Sequence, residues 1–430
     1  MDMSRLSPES MMMSYGYDPH RSEGSIKCPI FQTATYVFKT AEEGKAFFQV
    51  AYGHRKRHKR ERTGLIYSRI NHPDMEVLEQ RLKLWDGAED CAAFASGMSA
   101  ITTVMLEFLN PGDLLLYSQP LYGGTHHFIH QILSRFDIQA ISFRPEATDA
   151  EIVDLLQRSG GAEKLAMIYV ETPANPTNEL IDIERCARLA RRFSRSKKTV
   201  ILAVDNTYMG PLWQHPLSLG ADLVLYSATK YIGGHSDVIA GAVLGPSRLV
   251  QRVKTLRTFL GNGIDPHTGW LLLRSLETLK VRMEQQAFHA ERIVEWLREH
   301  PLVERIYYPG FLEHQSPEQY AIYRKQCLGK GAMLSFDIRG GEREAFWFLN
   351  HLKLVKLAVS LGSTESLAEH PATMTHADVP EAERTLCGIT PKMIRLSVGL
   401  EHYADIIWDL DQALDQVGLL REPHHDTLTF

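Results

Sequence analysis

A lysine among small and hydroxylated residues is the feature of this chain with the clearest chemistry. Ser227-Ala228-Thr229-Lys230-Tyr231-Ile232-Gly233-Gly234-His235-Ser236-Asp237 follows directly on the apolar run 223–226, and strand ends are where open α/β sheets place ligands. The paired glycines let backbone come close to something bound. A deprotonated lysine amine forms a Schiff base with an aldehyde, and a partly buried, cation-rich site lowers its pKa toward that state. The hydroxyls of Ser227 and Thr229 are then placed to hold a phosphate. Twenty-five residues upstream (230 − 205 = 25), the apolar run 200–204 ends in Asp205-Asn206-Thr207. A carboxylate at the end of a buried strand needs a cationic partner. A protonated pyridine nitrogen supplies one, and the carboxylate in return keeps the ring an electron sink. Taken alone, Asp205 also suits the N-cap of the next helix; taken with Lys230, it reads as half of a pyridoxal phosphate site.

Three further positions fit such a site. Ser96-Gly97-Met98-Ser99 lies between the short apolar run 91–94 and an apolar helix beginning near Ala100. Its backbone N–H groups suit a phosphate, although Ser-Gly also opens helices for capping alone. Tyr122 follows the strand-like run 114–117 and offers a ring to stack on a flat heterocycle, or simply a surface or core tyrosine. Arg395, inside the apolar run 394–398, is awkward there unless it pairs with an anion. By contrast, His126, His127 and His130 supply an i, i+4 pair with no nearby glutamate or third ligand, so no metal is expected.

The elements that position these residues follow a recognisable order. Short apolar runs at 114–117, 138–143, 165–170, 200–204 and 223–226 alternate with longer amphipathic stretches, which is βα alternation around a largely parallel sheet. After about residue 283, an amphipathic stretch at 287–299 and strand-like runs at 331–338 and 394–398 suggest a smaller α+β unit. Residues 1–66 lack a sustained period and read as an extended arm that lies on a partner. The expected division is therefore an arm at 1–66, a cofactor-binding domain at 67–282 and a C-terminal domain at 283–430. A length of 430 residues agrees with more than one domain.

Composition narrows the partners. With 47 Lys plus Arg against 52 Asp plus Glu, the net charge of −5 gives no global attraction to nucleic acid or anionic membrane. The run 54–62 (HRKRHKRER) is strongly basic but has no interleaved aromatics, so it reads as a solvated loop rather than a nucleic-acid patch; its place just before the phosphate motif also allows attraction of an anionic cofactor or substrate. Five scattered cysteines argue against a disulfide framework or zinc knuckle. No apolar run reaches the length of a bilayer span. The first residues lead only to Met11-Met12-Met13, without the apolar core of a secretory signal, so cytoplasmic residence is expected.

The motifs YSRINHP (67–73), SGMSA (96–100), ETPANPT (171–177), DNTY (205–208), SATKYIGGHSD (227–237), ESLAEHPATMTH (365–376) and RLSVGLE (395–401) together resemble the Cys/Met-metabolism family of pyridoxal-phosphate-dependent enzymes. That family includes cystathionine γ-synthase, cystathionine γ-lyase, methionine γ-lyase and the O-acetylhomoserine sulfhydrylases. The resemblance implies an aspartate-aminotransferase-like (fold type I) architecture and a homotetramer built as a dimer of dimers. It implies that Lys230 carries the cofactor, Asp205 pairs with the pyridine nitrogen and Tyr122 stacks on the ring. Ser96, Gly97, Met98, Ser227 and Thr229 would hold the phosphate, with Tyr67 and Arg69 completing the site of a neighbouring subunit. Asn175, Ser360 and Arg395 would grip the α-carboxylate of an amino-acid substrate. The activity implied is γ-elimination or, alternatively, γ-replacement in trans-sulfuration chemistry; a non-catalytic relative would have lost a cofactor residue, and none is lost. Methionine γ-lyases carry a cysteine where this chain has Gly124, and cystathionine-handling members a glutamate where it has Val359. Open space at Gly124 and an apolar wall at Val359 are expected to favour a compact, uncharged γ-substituent.

Overall fold

The computed structural model describes residues 6–56, 64–196 and 198–421. Two sheets carry the architecture. The larger has strands β1 (Asp90–Phe94), β2 (Leu114–Ser118), β3 (Gln139–Phe143), β4 (Leu165–Glu171), β5 (Ile201–Asp205), β6 (Leu223–Ser227) and β7 (Gly241–Gly245), in the order β1-β7-β6-β5-β4-β2-β3. The neighbours β6-β5-β4-β2-β3 pair in parallel, and only β7 runs against its neighbours. The smaller sheet has β8 (Val303–Tyr307), β9 (Met333–Ile338), β10 (Lys356–Leu357), β11 (Leu367–Glu369) and β12 (Met393–Ser397), in the order β10-β11-β12-β9-β8. The chain is thus α/β with a mostly parallel central sheet and a second, smaller sheet.

Apolar side chains on alternate faces of the large sheet explain its layers. Leu115, Tyr117, Tyr169, Ala203 and Leu225 pack under helices Gly97–Phe108 and Ser247–Leu260, while Leu114, Leu116, Ile168, Val170, Leu202 and Val204 pack with residues of helices Asp149–Arg158 and Ile183–Phe193. Each leucine, isoleucine or valine among them contributes about 1.5–3 kcal/mol when withdrawn from water, so both faces must be covered. A third cluster joins Val224, Tyr226 and Leu244 to Leu334, Phe336, Ile394 and Leu396 of the small sheet. Helix Leu279–Leu297 contributes buried residues on both sides of position 283, the expected domain boundary, so this boundary falls inside a continuous element.

Two local differences from the sequence reading have physical causes. The arm, expected to be extended, holds helix Ala41–Ala51, capped by Thr40, whose hydroxyl accepts the Glu43 N–H. It buries only Gly44 and is held by its cap, its acidic first turn and an edge-to-face contact between Phe38 and Phe47, so no buried stripe announces it. Strand β7 was not anticipated because its five residues begin and end in glycine, leaving three apolar residues as its whole signal. Of the basic run 54–62, residues 57–62 lie outside the described residues.

Parallel pairing has one decisive consequence. The carboxyl ends of β2, β4, β5 and β6 lie along a single edge, which places the loops after Ser118, Glu171, Asp205 and Ser227 beside one another.

Candidate active site

Lys230 stands three residues beyond the end of β6, half-buried, with its Nζ donating to Ser360 Oγ at 2.7 Å. Burial, and then the nearby Arg395 charge, lower its pKa to about 8. About a tenth of the amine is then free at pH 7, far more than for an ordinary lysine, as attack on an aldehyde requires.

Asp205, the last residue of β5, faces Glu171, the last residue of β4, in direct register. Both are buried, and neither has a cation among the described residues. Tyr169 OH donates to Asp205 Oδ2 at 3.2 Å and the Thr207 N–H to Oδ1 at 3.0 Å. Glu171 accepts two backbone N–H groups, from Tyr122 at 2.8 Å and from Asn175 at 3.1 Å. Burial drives both carboxyls above the ordinary range, and for Glu171 the adjacent Asp205 adds to it. A protonated ring nitrogen against Asp205 would relieve this crowding of like charge, so the residues fit pyridoxal phosphate.

The phosphate end fits as well. Helix Gly97–Phe108 is capped by Ser96, whose Oγ accepts the Ser99 N–H at 2.9 Å, so the first-turn N–H groups of Gly97 and Met98 remain for an anion. Ser227 lies against this turn: a Cβ on Gly97 would stand 2.8 Å from Ser227 Cβ and 2.9 Å from its Oγ. Only glycine leaves that cradle open. Thr207 Oγ1 accepts the Ser227 N–H at 2.8 Å and fixes the end of β6. Thr229 Oγ1 is paired with the Ala240 backbone, accepting its N–H at 3.0 Å, and Ser96 serves the helix cap.

Arg395 reaches this group from the small sheet. It is 2% exposed. Nη1 donates to Asn175 Oδ1 at 3.2 Å and Nη2 to Ser360 O at 2.7 Å. Ser360 therefore joins Arg395 to Lys230, and it does so with φ of +94°, a conformation costly for any residue but glycine. Tyr208 OH also donates to Asn175 Oδ1, at 3.3 Å. The structure thus joins Lys230, Ser360, Asn175 and Arg395 in one hydrogen-bonded group, with Tyr122, Asp205, Gly97, Met98 and Ser227 along the adjoining sheet edge.

Other expected residues stand apart. In this chain Arg69 Nη1 donates to Thr258 O at 2.7 Å, its guanidinium lies 5.8 Å from the exposed Tyr67 ring, and no described contact links either residue to the Lys230 group. The space expected at Gly124 is taken: a Cβ there would meet Tyr122 Cε1 at 2.7 Å and Met98 Sδ at 3.2 Å, because the Tyr122 ring folds over it. Val359 is 54% exposed beside Ser360. His130 Nε2 lies 2.8 Å from Tyr117 OH, and His126 Nε2 3.3 Å from a Glu383 carboxylate oxygen; among the described residues there is no cluster suited to a metal ion. Glu171, Tyr208 and Glu369 were missed by the sequence reading. Glu171 carried the same signal as Asp205, an acid ending an apolar run; Glu369 sits in a three-residue strand too short to mark its burial.

Comparison with known proteins agrees with this arrangement. The model of the family described as Cys/Met metabolism PLP-dependent enzyme matches residues 9–415. The L-methionine γ-lyase of Fusobacterium nucleatum subsp. polymorphum is 38% identical over 92% of this chain and 94% of its own length. Human cystathionine γ-lyase is 42% identical over 82% of this chain and 84% of its own. The crystal structure of cystathionine γ-synthase from Xanthomonas oryzae pv. oryzae, in complex with aminoacrylate and cysteine, superposes with a TM-score of 0.85 at 30% identity, covering 96% of this chain and 99% of that one.

The cradle yields a direct prediction. Gly97→Ala forces Ser227 away from the helix N-terminus and should weaken pyridoxal phosphate binding about 10–100-fold, the loss of one or two charge-assisted hydrogen bonds. Fluorescence titration of the apoenzyme measures it; wild-type affinity in the variant would contradict the cradle.

Proposed function

The chain belongs to the Cys/Met-metabolism family of pyridoxal-phosphate-dependent enzymes, and we propose that within it this protein eliminates the γ-substituent of an L-amino acid whose side chain is compact and uncharged. When bound, the cofactor supplies electron withdrawal that makes protons next to the substrate amine removable. The rest is the work of the chain. Arg395 and Asn175 bind the α-carboxylate, a task suited to the planar guanidinium. Tyr122 would hold the ring, Asp205 would balance the positive charge at its nitrogen, and Gly97, Met98, Ser227, Thr229 and the Ser96 cap would hold the phosphate. Lys230 is the residue that would hold the cofactor, and its amine, of lowered pKa, would take up and return protons at the substrate carbons. The single observation that carries this reading is the Lys230–Ser360–Arg395 chain: it puts a base of lowered pKa next to the anchor of the carboxylate.

The apolar Val359 side chain beside Ser360 supports the preference for an uncharged substituent only by offering no partner to an ammonium; at 54% exposed in the single chain it does not bury one. The likeness to the Xanthomonas cystathionine γ-synthase favours a second reading, capture of the intermediate by a thiol. The position of Tyr67 and Arg69, away from their own chain's Lys230, supports a site completed by the partner subunit in a homotetramer. We keep the division into arm, cofactor domain and C-terminal domain on the strength of the two sheets. Five free cysteines support a cytoplasmic setting, and among the described residues no helix is long and apolar enough to cross a membrane.

Two experiments test this. A panel of methionine, O-acylhomoserines and cystathionine, with and without thiols, is followed by mass spectrometry. Compact substrates should turn over at least about tenfold faster than cystathionine, giving a 2-oxo acid and ammonia. A new amino-acid adduct would assign γ-replacement instead, and cystathionine as the best substrate would remove the Val359 argument. Separately, Arg69→Ala and Lys230→Ala, each inactive, should regain about a quarter of the wild-type activity when subunits exchange, the statistical share of intact shared sites. No recovery with exchange demonstrated would place each site within one chain.

A further inference from the structure

Glu369 has no part in the scheme above, yet it is the charge closest to Arg395. The two residues oppose each other in the antiparallel β11–β12 ladder. Glu369 Oε1 lies 2.7 Å from Arg395 Nη1, with side chains 0% and 2% exposed. A guanidinium has five N–H groups. Two on Nη1 serve Glu369 and Asn175, and one on Nη2 serves Ser360 O. Arg395 Nε and Glu369 Oε2 are both buried without a partner among the described residues. A buried ion pair with an unmet atom on each side is costly to keep for stability alone.

The unmet donors have a use. Nε–H and the remaining Nη2 N–H are the groups left for a carboxylate. Its arrival would put two carboxylates on one buried guanidinium, leaving a negative charge uncompensated, and a buried acid escapes that state by taking a proton.

We propose that Glu369 is the counter-ion of Arg395 in the free enzyme and that it takes one proton from solvent when the substrate α-carboxylate joins the guanidinium. It thereby sets both the affinity for the amino acid and the pH dependence of that affinity. The step forms one O–H bond on Glu369 and breaks one bond to hydrogen in hydronium or a buffer acid, whose conjugate base stays in solvent; the carboxylate is neutralised and no oxidation state changes. The proposal rests on Arg395 as the α-carboxylate site.

The surroundings agree. Burial already raises the Glu369 pKa, opposed chiefly by Arg395 and by the Thr375 hydroxyl, which donates to Oε1 at 2.8 Å. Lys230, His370, Tyr122 and Tyr208 are the other titratable groups that face it. His376 lies behind Thr375 Oγ1 at 3.0 Å, and burial lowers its pKa to about 4, so it stays neutral near pH 7. Sharing Arg395 with a second anion raises the Glu369 pKa further. Because the bound-state pKa is then above the free-state one, binding takes up protons between the two, and affinity falls as pH rises through that window.

The test titrates holoenzyme calorimetrically with γ-(methylthio)butyrate, a carboxylate without an amine, in buffers of different ionisation enthalpy. Wild-type enzyme should take up a fraction of a proton approaching one per site, with affinity falling toward alkaline pH. Glu369→Gln, uncharged and still able to accept from Thr375, should bind about tenfold more tightly, with no proton uptake and a flat pH profile. Absence of uptake in the wild type, uptake that persists in Glu369→Gln, or weaker binding by that variant would each overturn the proposal. The double variant Arg395→Leu/Glu369→Gln, which leaves no unpaired buried charge, should lose the probe; binding at wild-type affinity would overturn the reading of Arg395 itself.

Discussion

Two buried carboxylates side by side at the end of a parallel sheet set the terms for the rest of this structure. Parallel register makes Glu171 and Asp205 neighbours, and burial makes their charges repel in a medium that screens poorly. Glu171 is satisfied from within, by the Tyr122 and Asn175 N–H groups. Asp205 has the Tyr169 hydroxyl and the Thr207 N–H but no cation from the described chain. Without a cation the pair relaxes by keeping a proton, as the raised pKa of Glu171, about 8, shows; a protonated ring nitrogen at Asp205 would let that carboxylate ionise, and it also accounts for Lys230 and the open cradle at Gly97.

The small sheet supplies the other half of the site. Its strand β12 is anchored by the core shared with the large sheet, so Arg395 is carried on packed backbone rather than on a free loop. Rigid support matters under the proposed function, in which the guanidinium would meet a carboxylate while Lys230 meets the neighbouring carbon. Ser360 couples the two: its carbonyl accepts from Arg395 and its hydroxyl from Lys230. Its left-handed backbone is the local cost of that dual contact.

Much of this was legible in the sequence. The alternation of apolar runs marked five strands of the parallel sheet, and the motifs around Lys230 and Asp205 pointed to the pyridoxal phosphate family, while the part each residue plays there rests on the proposal. An arginine inside an apolar strand pointed to a buried anion, but its nearest anion, Glu369, was hidden in a strand of three residues whose pairing depends on a partner 26 positions away (395 − 369 = 26). The same kind of limit applies to Gly124, where the sequence showed a missing side chain but not the Tyr122 ring lying over it. Burial and long-range pairing decide such positions, and a single chain's residue pattern does not encode them locally.

The account stands on Lys230 as the residue that carries the cofactor opposite Asp205. The most direct measurement is to reduce the holoenzyme with borohydride, digest it and identify the labelled peptide by mass spectrometry. The account predicts one cofactor equivalent fixed to the Lys230 side chain; label on a different lysine, or none after reduction of cofactor-saturated protein, would contradict it.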